Sequence, residues 1–185
     1  LDDDQAQFNL GNLYNEGVHI SRDIKKAIYY YTLSASHGLP NAQHALGIKY
    51  FLGEYYKKDI NKAVYYFKLA ANQNYSKSQY NIGLIYAFDR MFKKYRKEAV
   101  DYFIRASKND FIDASYILGC FYLRGFDGIH RDIENAIHYF KKGSSFNHQY
   151  SKNNLGVIYA KVKQNSIAIE YFNEAIRQKD DVLSM

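Results

Sequence analysis

The fold is decided by the stretch Leu46-Gly47-Ile48-Lys49-Tyr50, because its pattern recurs along the chain: Leu or Ile, then Gly, then Tyr three residues on. The five copies occupy residues 10–14, 46–50, 82–86, 118–122 and 155–159. Their glycines are therefore 36, 36, 36 and 37 residues apart. A fixed period of this length is typical of proteins built from stacked repeats.

Each repeat contains two blocks of small and aromatic residues. In the first block, a small residue such as Ala42 stands five positions before the glycine. In the second block, an alanine is followed four residues later by an aromatic ring. These pairs are Ala27 and Tyr31, Ala63 and Phe67, Ala99 and Phe103, Ala136 and Phe140, and Ala168 and Phe172. Spacings of three, four and seven residues define one face of an α-helix. The sequence therefore predicts two helices per repeat, which we name helix A and helix B.

Characteristic residues stand at the two ends of helix B. An Asp stands four residues before the helix B alanine at positions 23, 59 and 132, where its side chain is predicted to cap the helix. Helix B is predicted to end at residues that tolerate a left-handed backbone, namely Gly38, Asn74, Asp110 and Asn147. A glycine inside a helix costs about 1 kcal/mol relative to alanine, so the glycine of helix A indicates close approach of a neighbouring helix. The Tyr that follows it is predicted to fill the space beyond that contact.

The amino-acid composition limits the classes of protein to which this chain can belong. The 185 residues are 47% hydrophobic and 17% aromatic with a net charge of +6, which indicates a folded chain of mild basicity. The single cysteine, Cys120, excludes an internal disulfide and a cysteine-based zinc site. No apolar run reaches the roughly 18 residues that a membrane-spanning helix needs.

No arrangement of residues indicates catalysis. The stretch His130-Arg131-Asp132 is similar to a protein-kinase catalytic loop, but Ile137 stands where that loop requires Asn. The sequence lacks glycine-rich phosphate loops, dinucleotide fingerprints, Ser-x-x-Lys motifs and His pairs at metal-ligand spacing. We therefore predict a protein that is not an enzyme, with no catalytic residue, metal site, cofactor or small-molecule substrate.

The repeated residues resemble the Sel-1-like repeat family, a relative of the tetratricopeptide repeat with a longer loop between its helices. The resemblance rests on the patterns A-x4-LG-x2-Y and D-x2-KA-x2-YY/F-x2-AA, and it covers about residues 5–181. It implies an all-α fold, a right-handed α-α superhelix of about five helix-turn-helix repeats, in a single domain over residues 1–185. The repeats are placed at about residues 5–40, 41–76, 77–112, 113–149 and 150–181. In the last repeat only 12 residues separate Gly156 from Ala168, which is the tetratricopeptide spacing.

The resemblance also implies a function, because members of the family act as adaptors that hold other proteins. If the family geometry applies, helix A lines the concave surface and exposes the positions three before and one, four and five after each glycine. In the middle repeats these are His44, Ile48, Phe51, Leu52, Tyr80, Leu84, Ala87, Phe88, Tyr116, Cys120, Leu123 and Arg124. Such an apolar strip suits an amphipathic helix or an extended peptide of a partner protein. The alternative is that these side chains pack between neighbouring repeats and that helix B contacts the partner.

The predicted loops between helix A and helix B carry +5 of the net charge of +6, with a maximum at residues 90–97. The cations of this segment are Arg90, Lys93, Lys94, Arg96 and Lys97. The segment departs from the repeat pattern, since Asp89 replaces a loop glycine and Tyr95 replaces the capping Asp. We hypothesise that this basic loop contacts an acidic partner or, peripherally, an anionic membrane surface. The alternative is a solvated loop without a partner.

Two other functions compete with a free-standing adaptor. The chain is alternatively a repeat region of a larger multidomain protein that mediates regulation or complex assembly. Leu1 is not an initiator Met, and residues 182–185 supply no polar capping helix. Helical repeats can also bind RNA, one base per repeat, but the helix A positions vary from Asn12 to Ile48 to Cys120, which disfavours nucleic acid.

Overall fold

The computed structural model describes residues 3–183, with side chains as far as Arg177. Over these residues the chain forms ten α-helices, one short 3-10 helix at Arg90–Tyr95 and no β-strand. The α-helices are α1 Asp4–Glu16, α2 Ile24–Ser36, α3 Pro40–Leu52, α4 Ile60–Asn72, α5 Ser76–Phe88, α6 Arg96–Lys108, α7 Ile112–Arg124, α8 Ile133–Ser145, α9 Gln149–Lys161 and α10 Asn165–Leu183. Odd-numbered helices are helix A and even-numbered helices are helix B, so the predicted all-α fold of five helix pairs is confirmed. Ser184 and Met185, at the predicted uncapped end, lie outside the described residues.

The chain divides into two compact units, one ending at Lys93 and the other beginning at Lys94. The boundary falls inside the 3-10 helix of the third repeat. The first unit contains α1 to α5 and the second contains α6 to α10. The single domain that the sequence predicts stays a prediction, and the two units are described separately.

The core of the first unit lies where helix B of one repeat packs on helix A of the next. Ile28 and Ala35 of α2 form one buried cluster with Ala42 and Leu46 of α3. A Cβ atom placed on Gly47 would lie 2.5 Å from the Cδ1 and Cε1 atoms of the Phe67 ring. This confirms the predicted close approach and identifies the neighbour as the aromatic residue of helix B in the same repeat.

The second unit repeats this packing. Phe140 of α8 and Leu155 of α9 belong to one buried cluster, and both side chains are fully buried. A Cβ atom on Gly119 would lie 2.5 to 2.9 Å from three atoms of the Phe140 ring, and one on Gly156 would meet Phe172 in the same way. The glycine therefore makes room for a ring in both units.

The predicted helix boundaries are confirmed by hydrogen bonds and backbone angles. The side chains of Asp23, Asp59 and Asp132 each accept a hydrogen bond of 3.0 Å from the backbone N–H three residues later. The four predicted stop residues all have positive φ: 98° at Gly38, 62° at Asn74, 56° at Asp110 and 64° at Asn147. Tyr95 precedes α6 without a side-chain cap, as its residue type predicts.

The tyrosine of helix A has a specific partner that the repeat pattern alone did not predict. Tyr14 stacks on Tyr30 and Tyr50 stacks on Tyr66, with ring planes within 7° of parallel. In the second unit Tyr122 stacks on Tyr139 and Tyr159 on Tyr171. The sequence does carry a signal for this pairing, because a Tyr stands three residues after the helix B alanine in every repeat.

Within the described part of the chain, no helix has the length and apolar character needed to cross a membrane.

Candidate binding surface

The first unit brings four of the predicted partner-binding positions together. Phe51 and Leu52 stand three and four residues after Ile48 on α3, so both lie beside Ile48 on one face of the helix. Leu84 of α5 completes a cavity of about 180 Å³ between the two helices. Phe67, Asn81 and Ile85 supply the rest of the lining, so Asn81 is its only polar side chain.

A second depression continues the cavity along α5. It is shared by Phe51 and Leu84 and extends to Phe88 and Asp89. Leu52 and Phe88 are 56% and 57% exposed, which is unusual for side chains of this size. We name this surface the α3–α5 groove and define it by Ile48, Phe51, Leu52, Leu84 and Phe88.

His44 lies beside this groove but packs inside the first unit. Its ring centroid is 5.4 Å from that of Phe67 and 5.2 Å from that of Tyr75, and its Nδ1 atom is 2.8 Å from Ser78 Oγ. Burial, with a smaller contribution from Lys77, lowers the pKa of His44 to about 4, so its ring is neutral near pH 7. This placement favours the alternative in which the side chain packs between repeats.

Two other predicted positions on α5 lie outside the groove. Tyr80 is half-buried and lines neither depression. Ala87 was expected to be exposed, but the structure buries it, and that expectation is wrong. Ala87 is covered together with its neighbours Ile85 and Tyr86, which are also buried, whereas Phe88 at the end of the helix is exposed.

In the second unit, Tyr116 takes the place that His44 has in the first. Its ring lies 5.0 Å from His148, 6.0 Å from Tyr150 and 6.1 Å from Phe140, between two repeats. Burial, followed by the neighbouring Cys120, raises the pKa of Tyr116. The second unit thus uses this position for packing.

The remaining predicted positions on α7 are divided between core and surface. Leu123 and Cys120 are half-buried and pack against the second-unit core. Burial also raises the pKa of the Cys120 thiol, which keeps it protonated near neutral pH. Arg124 is exposed at the end of the helix. No exposed apolar pair like Leu52 and Phe88 occurs among these α7 positions.

The basic segment is helical, which corrects the expectation of a loop. Residues 90–95 form the 3-10 helix, and Arg96 and Lys97 begin α6. Phe92 explains the difference, because its buried ring stacks on Tyr86 at 5.6 Å and anchors the segment. Asp89 accepts a hydrogen bond of 2.9 Å from the Met91 backbone N–H and so caps the 3-10 helix.

Most cations of the basic segment point to solvent. Arg90, Lys93, Lys94 and Lys97 are exposed. Arg96 is half-buried, and its Nε atom lies 3.8 Å from Asp127 Oδ2. The segment therefore keeps four exposed positive charges, two on each side of the boundary between the units.

The α3–α5 groove has a cation and an anion on its margin. Lys58 Nζ lies 5.2 Å from the centroid of the Phe51 ring, a cation–π distance. Asp89 lies at the other end, beside Phe88. Across the described side chains, no cluster of three or more His, Cys, Asp or Glu residues could hold a metal ion.

Comparisons with known proteins agree with this architecture. The Sel1 repeat family model matches residues 4–39, 40–75, 76–111, 112–145 and 150–180. A Sel1 repeat protein from Oxalobacter formigenes is 28% identical with a TM-score of 0.85, and the match covers 96% of this chain and 74% of that one. The protective antigen c5321 of uropathogenic Escherichia coli, which displays an SLR fold, is 25% identical with a TM-score of 0.91. That match covers 96% of this chain and 38% of that one.

A more distant structure shows only the fold. The immunity protein Pa5087 from Pseudomonas aeruginosa is 18% identical with a TM-score of 0.57, over 93% of this chain and 68% of that one. A search of curated proteins found no significant match.

Proposed function

Because the chain belongs to the Sel1 repeat family, we propose that it is a non-catalytic scaffold that binds an apolar helix or peptide of a partner protein in the α3–α5 groove. Sel1 repeat proteins are generally protein-interaction scaffolds and are typically non-catalytic. The observation that carries the proposal is the cavity between Ile48, Phe51, Leu52 and Leu84, which lies open to solvent beside Phe88. The five positions come from two consecutive copies of helix A, as expected of a surface shared by neighbouring repeats.

The size of the cavity specifies the occupant. At about 180 Å³ it is close to the roughly 150 Å³ of an apolar protein cavity that accepts one benzene ring. One Phe or Leu side chain of the partner therefore fits, and a second, one helical turn away, would lie in the depression between Phe51 and Phe88. A partner helix with apolar residues three or four positions apart meets both requirements. An acidic residue of the partner beside Lys58 would fix its direction.

Selection from a library of displayed helical peptides tests this proposal even though the partner is unidentified. Selected peptides are then titrated against the wild type and against Leu52→Glu with Phe88→Glu. Both side chains are more than half exposed, so helical circular dichroism should be unchanged. Losing two anchors at the centre of an interface costs at least about 2 kcal/mol, so we expect affinity to fall by at least about 30-fold.

The matched control replaces two exposed aromatic residues of helix B. Tyr29 and Tyr65 are about as exposed as Leu52 and Phe88, and they lie on α2 and α4. The Tyr29→Glu with Tyr65→Glu variant should keep the affinity of the wild type. If this control loses binding while the groove variant keeps it, helix B carries the interface and the groove proposal is wrong.

The basic segment is proposed to accelerate binding of an acidic partner. Exposed charges distant from the contact change the association rate more than the dissociation rate, and salt weakens their effect. We expect Lys93→Glu, Lys94→Glu and Lys97→Glu together to slow association with an acidic partner by about tenfold at low salt. The control changes the net charge equally at other exposed lysines: Lys25, Lys57 and Lys108. If both variants slow association with the acidic partner equally, the basic segment has no special role in it. If the basic-segment variant loses only its binding to anionic lipid vesicles, the segment contacts a membrane surface instead.

A second candidate function is that of a repeat region within a longer protein, where it mediates regulation or assembly. The observation that favours it is that this chain spans only 38% of the Escherichia coli structure that it resembles. In that case the occupant of the groove is a segment of the same polypeptide. Titrating the isolated 185-residue chain with the rest of the polypeptide, supplied separately, would show binding that the groove variant abolishes.

A further inference from the structure

Asn81 is a polar side chain in the wall of the α3–α5 groove. It is half-buried on α5 and lines the cavity of about 180 Å³, whose other lining side chains are apolar. Across the described residues, no group forms a hydrogen bond with its side-chain amide. The two N–H donors and the carbonyl acceptor of this amide are therefore available to a molecule that fills the cavity.

Asparagines at the same offset in two other repeats do have partners. This offset lies two residues before the glycine of helix A. Asn9 on α1 accepts a hydrogen bond of 3.0 Å from the Gln5 side chain. Asn154 on α9 donates one of 2.9 Å to the backbone carbonyl oxygen of Tyr150. Asn81 differs from both because its amide is left without such a bond.

Asn154 also shows which group an asparagine at this offset can recognise. Its side chain forms a hydrogen bond with the hydroxyl of Tyr116, which lies on the preceding helix A of the second unit. Burial raises the pKa of Tyr116, and this hydrogen bond opposes the rise. A hydrogen bond has that effect when the amide donates to the phenol oxygen, because it then stabilises the ionised form.

In the first unit, the residue that corresponds to Tyr116 is His44. Both stand three residues before the glycine of their helix A. His44 has no hydroxyl, and its Nδ1 atom lies 2.8 Å from the Oγ atom of Ser78, one helical turn before Asn81 on α5. Asn81 therefore lacks the tyrosine hydroxyl that Asn154 has.

We propose that the partner of the α3–α5 groove supplies this hydroxyl, through a tyrosine that enters the cavity and hydrogen-bonds to Asn81. The inference rests on the proposed function, which by itself admits Phe or Leu at this anchor. At about 180 Å³ the cavity exceeds the roughly 150 Å³ that accepts a benzene ring by about 30 Å³, the volume of one water in the liquid, so a phenol fits. An apolar anchor would displace water from Asn81 and leave its amide unpaired, which weakens binding.

The position of Asn81 also sets the order of the two anchors along the groove. Asn81 and Phe88 are seven residues apart on α5, which is about 10 Å along a helix. Asn81 lines the cavity, whereas Phe88 and Asp89 line the neighbouring depression. The tyrosine of the partner therefore enters the cavity, and its second, apolar anchor lies against Phe88.

Two forms of one peptide test this inference. Displayed helical peptides selected on the wild-type chain should carry tyrosine at one anchor, and each is compared with the form in which phenylalanine replaces that tyrosine. The phenylalanine form should bind the wild type about tenfold more weakly. Asn81→Leu keeps a side chain of similar size without the amide, and it should bind the two forms within about twofold of each other. Because the peptide change leaves the chain intact, the first comparison stands even if Asn81→Leu does not fold.

Asn9→Leu is the matched control, because Asn9 has the same offset on α1 and lies outside the groove. It should keep the tenfold preference for tyrosine. Selected peptides with Phe or Leu at the anchor, or equal affinities of both forms for the wild type, overturn the inference. A full preference for tyrosine in Asn81→Leu overturns it too, since another group then binds the hydroxyl.

The groove variant separates this failure from failure of the proposed function. If peptides without an anchoring tyrosine lose affinity for Leu52→Glu with Phe88→Glu, the proposed function stands and the role of Asn81 is refuted. If no selected peptide responds to the groove variant, both are refuted.

Discussion

Replacing Gly119 by alanine sets two effects of known size against each other. Alanine gains about 1 kcal/mol over glycine in a helix interior. The added Cβ, however, would lie 2.5 Å from Phe140 Cε1, 2.6 Å from Cδ1 and 2.9 Å from Cζ. The Phe140 ring is fully buried, so it cannot move away without displacing other core residues. Overpacking of this kind costs about 1–3 kcal/mol.

We therefore expect Gly119→Ala to lower the free energy of unfolding by up to about 2 kcal/mol, the overpacking cost less the gain in helix propensity. Gly47→Ala makes the same contact with Phe67, at 2.5 Å, but the Phe67 ring borders the 180 Å³ cavity and has space to turn. Its cost should be smaller. Urea unfolding monitored by circular dichroism measures both changes.

A double-mutant cycle isolates the contact. Phe140→Leu replaces the ring by a smaller, branched side chain. Gly119→Ala should therefore lower the free energy of unfolding by less in that background than in the wild type. We expect a coupling of at least about 1 kcal/mol between the two substitutions. If Gly119→Ala stabilises the wild type by about 1 kcal/mol, helix propensity alone governs the position and the close-approach argument is refuted.

Three further predictions concern caps, protonation and cooperativity. Asp59→Ala should lower the free energy of unfolding, measured in urea, by about 1 kcal/mol because it removes a helix cap. Tyr95→Asp should raise it by almost nothing, because ψ at Tyr95 is 9°, whereas the capping residue Asp59 has the extended ψ of 97°. The pKa of His44, about 4 in the folded chain, lies below its unfolded value near 6.5, so its stabilising contribution is complete above pH 6.5 and is lost as pH falls towards 4. Between pH 7 and 5 the wild type should lose about 1–2 kcal/mol more than His44→Asn, and equal losses would contradict this. The predicted single domain requires one urea transition for both units, and two separated transitions would refute it.

The repeat pattern predicted the helices well because each helix depends on contacts within its own repeat or with an adjacent one. The glycine of helix A recurs in every repeat, so a close approach at Gly119 was predicted, but its neighbour Phe140 was not, because the ring lies 20 or 21 residues later in four repeats and 16 in the last. The cap at Asp59 depends only on the three residues that follow it. Helices and their caps are local features of this kind, so the sequence predicts them directly.

The departures arise where one repeat differs from the others. The 3-10 helix forms because Phe92 packs on Tyr86 and Asp89 caps the turn. Tyr86 belongs to the repeat pattern, but Phe92 and Asp89 do not. The offset three before the glycine was expected to be a surface position. His44 and Tyr116 instead contact the residue at the N-cap position of the next helix A, Tyr75 before α5 and His148 before α9. These contacts depend on the helix that follows, so the residue type at this offset does not by itself predict them.

Exposure is the property that the repeat pattern cannot encode. Leu10 and Leu46 occupy the same offset in the same motif, yet Leu46 is buried by α2 and Leu10 is not. Leu46 is buried because α2 packs on it, so burial at this offset depends on a neighbouring helix that the motif itself does not contain.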